Sequence, residues 1–88
     1  MSQDSDILRA GKNAKVSALA ERVIRQLERQ TGLVRLEAVG AGAVNQAVKA
    51  VAQARRDGHP LAIIPDLVDI TLGHGTQPAV HLTVVEIE

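Results

Sequence analysis

Three groups of residues have the types and spacing to do chemistry, and each bears on anions. Gly11-Lys12-Asn13 stands at the start of an apolar-periodic segment. A helix beginning there offers free backbone N–H groups and the positive end of its dipole, and Lys12 and Lys15 add charge. The same residues equally suit an ordinary helix start with solvated lysines. Asn45, Lys49 and Arg56 share one face of a second helical segment, with Gln46 and Gln53 beside them. Such a ridge suits a phosphate or a base edge; it suits a solvent face or a cross-linking amide as well. Gly40-Ala41-Gly42 follows an apolar strand, as a dinucleotide loop does. The third glycine of that pattern falls on Asn45, however, and no acid stands at the ribose position. A tight turn that needs small residues accounts for it.

The remaining candidates assemble into nothing. His59, His74 and His81 lack metal-ligand spacing, and there is no cysteine. His59 and His74 fall in turns, and His81 is expected on the exposed face of the last strand. Ser17 lies inside the first helix with no histidine–acid context. Asp66 and Asp69, near Pro65, read as solvated edge-strand acids. No nucleophile, base and oxyanion donor converge, so a binding protein is expected rather than an enzyme, with no cofactor, metal or small-molecule substrate.

The elements that must position these residues follow from periodicity. Ile7 to Ala10 reads as a short strand and Gly11 to Asn13 as a turn, with Asn13 a suitable N-cap. The first helix is predicted from Ala14 to Gln30, where Val16, Leu19, Ala20, Val23, Ile24 and Leu27 form one buried stripe and Glu21 pairs with Arg25 outside. Thr31-Gly32 closes it. A strand over Leu33 to Val39 sends Val34, Leu36 and Ala38 to one face and Arg35 and Glu37 to the other. The second helix is predicted from Ala43 to Arg56. Its Ala and Val residues cover an arc of about 200°, wider than one sheet face needs, which suggests a second partner for that helix. Gly58-His59-Pro60 stops it. A third strand begins near Leu61, and Pro65 is expected to interrupt it, which implies an edge strand or a bulge. Gly73-His74-Gly75 is a hairpin tip, and Val80 to Ile87 is the fourth strand.

Composition narrows the function. There is no Phe, Tyr or Trp, so the core is Val, Ile, Leu and Ala, and the base-stacking platforms of RRM and OB modules are excluded. No apolar run spans a bilayer, and no cysteine argues for disulfides; both fit the cytoplasm. Net charge is zero but lopsided: Arg9 to Arg56 holds ten bases against three acids, a balance of +7, and from Asp57 onward there are five acids and no base. That asymmetry fits either a polyanion-facing surface or solvated helix faces. At this length oligomerisation is a common source of added stability. Residues 1–6 are expected to be a flexible leader to a single domain over residues 7–88.

The stretches AVGAGAVNQAVKAVAQAR, IIPDLVDITL and AVHLTVVE resemble the stage V sporulation protein S family, part of the wider Alba superfamily. The first loop, in LRAGKNAKVSALAERVI, is similar to the strand, Gly-Lys-Lys, helix pattern of archaeal Alba. Together these similarities cover about Ile7 to Glu86. They imply an α+β, β-α-β-α-β-β, Alba-like two-layer sandwich in which two helices cover one face of a four-stranded mixed sheet. They also imply a homodimer and nucleic-acid binding. In Alba, the loop lysines contact phosphates; Lys12 matches the first, and Asn13 replaces the second. The arginines that flank the Alba turn glycine are Val39 and Ala41 here. The hairpin that acts as a minor-groove arm in Alba is expected to be short here, and it has no Lys or Arg. Members of the sporulation family are associated with regulating development or spore assembly.

Two readings result. The first is a homodimer that binds DNA or RNA through Lys12, Asn13 and Lys15, supported by Arg9, Asn45 and Lys49, with Val44, Val48 and Val51 at the dimer interface. The second is a dimeric assembly module in bacterial development that binds other proteins and no nucleic acid.

Overall fold

In the computed structural model, which describes residues 7–29 and 32–87, the order is β1 (Ile7–Ala10), α1 (Val16–Arg29), β2 (Leu33–Ala38), α2 (Ala41–Arg56), β3 (Leu61–Leu72) and β4 (Gly75–Glu86). The expected leader over residues 1–6 lies outside the described residues. The strands form one mixed sheet in the order β1-β2-β4-β3: β1 is parallel to β2, β4 antiparallel to both of its neighbours. The α+β two-layer sandwich is as expected.

The core is almost wholly aliphatic. Leu19, Ala20, Val23 and Leu27 of α1 meet Val34, Leu36 and Ala38 of β2 and Leu82 and Val84 of β4. From α2 the contribution is Ala43, Ala47, Ala50, Val51 and Ala54. These five occupy an arc of about 100°. Four of them are alanine, so α2 lies close on its neighbours. Gly32 (φ 74) and Gly40 (φ 88) take the left-handed conformations that let the chain leave α1 and enter α2.

β3 is the edge strand that Pro65 implied, but without the expected interruption. It runs unbroken through Pro65, in register with Leu82. The reason is its place: β3 pairs only with β4, so a residue without N–H is tolerated where that donor would face outward. β4 also begins earlier than the hydrophobic pattern suggests, at Gly75 rather than Val80. Pro78 sits on β4 beyond Val80, where the ladder to β2 has already ended. Both prolines therefore occupy free edges.

The hairpin is consequently long, not short. Five residue pairs, from Val68↔Ala79 to Leu72↔Gly75, continue past the last β2 partner as a two-stranded arm. Its tip is a two-residue turn with Gly73 at φ 59, the pattern of a type II′ hairpin.

Candidate nucleic-acid interface

The loop carrying Lys12 is held by α2. Gly11 accepts a bond from the Ala14 N–H, so Lys12 and Asn13 are the central residues of a tight turn. This turn lies on the first turn of α2. A Cβ on Gly42 would stand 2.9 Å from the Lys12 Cβ, closer than carbon atoms pack. One helical turn on, the Gln46 amide donates to the Ala14 carbonyl at 2.7 Å, and Asn45 donates to the Gln46 Oε1 at 3.3 Å. Further along α2, Val16 lines a cleft with Lys49, Ala52, Gln53 and Arg56. The chain from Lys12 to Ala14 thus lies along α2, in close contact at Gly42 and hydrogen-bonded by Gln46.

This arrangement corrects the expected helix start. α1 begins at Val16, with Lys15 accepting its first intrahelical bond from Leu19, so Asn13 belongs to the turn and is not the N-cap. Lys12, Asn13, Lys15, Asn45 and Lys49 are all exposed. Among the described residues, no acid lies within ion-pair distance of Lys12, Lys15 or Lys49.

Arg9 goes elsewhere. It pairs in register with Glu37, and Leu8 and Ala10 take the core side of β1, so Arg9 is on the uncovered face of the sheet. Its Nε donates to Glu37 Oε1 at 3.2 Å. The sheet separates it from the lysines on the helix layer.

Sequence reasoning missed a polar cluster on that uncovered face. Glu37 is only 9% exposed although it faces away from the helices. Its second oxygen meets His81 Nε2 at 2.9 Å, and His81 is largely covered rather than exposed as expected. The register carries the row outward to Asp66. Arg9, Glu37, His81 and Asp66 thus stand side by side across four strands. Only the strand order reveals this, since the residues are far apart in sequence. No buried side-chain polar atom among the described residues lacks a partner.

The expected dimer residues divide. Val48 is 44% exposed and Val44 half-buried, but Val51 is 1% exposed, inside the chain's own core, and offers nothing to a partner. The broad apolar arc of α2 is therefore a buried stripe plus a surface seam. Val44 and Val48 border an open groove of about 600 Å³, completed by Leu67, Pro78, Ala79 and Val80 at the base of the arm. Leu67 is 79% exposed there.

Comparison with known proteins agrees with this architecture. The family model described as stage V sporulation protein S matches residues 6–87. Among solved structures, Alba from Thermoplasma volcanium is similar, with a TM-score of 0.59 at 15% sequence identity, covering 91% of this chain and 99% of that chain. At that identity the likeness is one of fold.

Proposed function

The chain belongs to the stage V sporulation protein S family, and from that premise we propose that it is a cytoplasmic homodimer of the Alba type that binds nucleic acid in a regulatory role. It contacts the phosphate backbone through Lys12, Lys15 and Lys49, with Asn13 and Asn45 at the margin, and reads little sequence. No catalytic step is assigned to it. The observation that carries this reading is the fastened loop: Gly42 and Gln46 hold Lys12 and its neighbours on α2. The loop backbone thus needs little reordering to present Lys12 to a phosphate. The homodimer is supported by the apolar groove between α2 and the arm, which a second copy would cover.

The test is salt-dependent binding of labelled duplex and single-stranded oligonucleotides. Three lysines per chain in a dimer predict a log–log salt slope of about −5 on duplex DNA and about −4 on a single strand. Lys12→Glu should abolish binding with an unchanged far-ultraviolet CD spectrum. Survival of binding in that variant would remove the loop from the interface.

A second reading rests on the arm. It carries Asp69 and no base, and it exposes Leu72, with Asp66 and Leu67 at its base. These features suit a protein partner. An intact dimer that shifts neither polymer at low salt would select this assembly role.

A further inference from the structure

The cleft between the start of α1 and the outer face of α2 carries more than a backbone contact. It is an open cleft of about 380 Å³ lined by Val16, Lys49, Ala52, Gln53 and Arg56. Lys49, Gln53 and Arg56 fall within an arc of about 60° on α2. Lys49 and Arg56 are two helical turns apart, about 10.5 Å along the axis, and the Gln53 amide lies between them. Val16 and Ala52 supply apolar wall. No acid lines the cleft, and among the described residues neither Lys49 nor Arg56 has a carboxylate within ion-pair distance. The nearest acid in sequence, Asp57, lies beyond Arg56 at the end of the helix.

We infer that this cleft binds two consecutive phosphoryl groups, one at each cation, with the Gln53 amide donating to a phosphoryl oxygen between them. Two phosphoryl groups give each cation its own partner, a contact that a single phosphate must share. Arg56 suits bidentate contact with one phosphoryl group and Lys49 a point contact with the other. The phosphoryl pair comes either from a free diphosphate or from successive phosphates of a nucleic-acid strand. The site rests on the functional reading above only in sharing Lys49.

The experiment is an NMR titration of the ¹⁵N-labelled full chain at low ionic strength, with pyrophosphate as probe and orthophosphate as control. Saturable shifts are expected at the amides of Val16, Ala52 and Gln53, with orthophosphate weaker by about tenfold or more. The double variant Lys49→Gln, Arg56→Gln should lose at least about tenfold in pyrophosphate affinity. Both side chains are exposed, so its fold is expected to be intact. Lys12→Glu should leave the pyrophosphate response unchanged, so this site and the loop fail separately. A single-stranded oligonucleotide is the second arm. Shifts of the same amides by the oligonucleotide but not by pyrophosphate, lost in the double variant, would assign the phosphates to a nucleic-acid backbone. The proposal is overturned if neither probe moves these amides. It is equally overturned if the double variant responds like the parent, or if orthophosphate binds as well as pyrophosphate.

Discussion

Replacing Gly42 by alanine tests the link between the second helix and the basic loop. Two effects oppose each other. Gly42 is in the first turn of α2, and alanine there gains up to about 0.5–1 kcal/mol from backbone entropy. The new methyl group would stand 2.9 Å from Lys12 Cβ and 3.7 Å from Lys12 Cα. Carbon contacts are comfortable at about 3.5–4.0 Å, so the loop must retreat by roughly 0.6–1.1 Å. It cannot do so freely, because Gln46 holds Ala14 at 2.7 Å one turn further on. Overpacking of this kind costs about 1–3 kcal/mol. The net expectation is a loss of about 1 kcal/mol, or about 4–8 °C in melting temperature for a domain of this size. Far-ultraviolet CD is the suitable probe, since there is no Trp or Tyr to report by fluorescence. Backbone amide shifts of Lys12 to Ala14 should change together, and nucleic-acid affinity should fall with them. A variant that melts higher than the parent with those amides unmoved would refute the packing argument. A double variant with Gln46→Ala should lose less than the sum of the two single losses, because both residues restrain one loop.

Other expectations rest on single contacts. Gln46→Ala alone removes one hydrogen bond to the Ala14 carbonyl and should cost about 0.5–1.5 kcal/mol in urea denaturation. Val48→Glu should leave the fold intact, because the residue is 44% exposed, yet shift the oligomer toward monomer in sedimentation; an unchanged dimer would place the interface off this seam. Glu37→Ala should cost about 1–3 kcal/mol through lost bonds to Arg9 and His81, read by thermal CD, while Glu37→Gln should cost less by keeping a partner for His81.

Much of the fold was legible because its periods are clean. The stripe from Val16 to Leu27 predicted the face that α1 buries, and alternation in β2 placed Val34, Leu36 and Ala38 inside. The width of the α2 arc also carried true information, but not its division. Val51 and Val48 are alike in sequence; only the angle at which the helix meets the sheet buries one and exposes the other. Pro65 pointed rightly to an edge strand but wrongly to an interruption, because at an edge the missing donor faces outward and the ladder to β4 continues past it. The start of β4 was hidden because Thr76-Gln77-Pro78 lacks an apolar alternation, its side chains being exposed on an arm rather than set over a core. At the candidate site the lysines could be named from local pattern. What holds them could not, since the Gly42–Lys12 and Gln46–Ala14 contacts join segments about 30 residues apart.

The two prolines at free edges constrain how this molecule can meet others. A neighbouring strand that sought to extend the sheet along β3 would find no amide donor at Pro65, with Asp66 and Asp69 close by. Along the arm it would meet the same gap at Pro78. On the far side of the sheet, β1 offers four residues of template among the described residues. Open-ended growth by strand addition is thus discouraged at each border. Association is directed to side-chain packing on the faces, a mode that saturates once the faces are covered and so favours closed assemblies of fixed size over fibres.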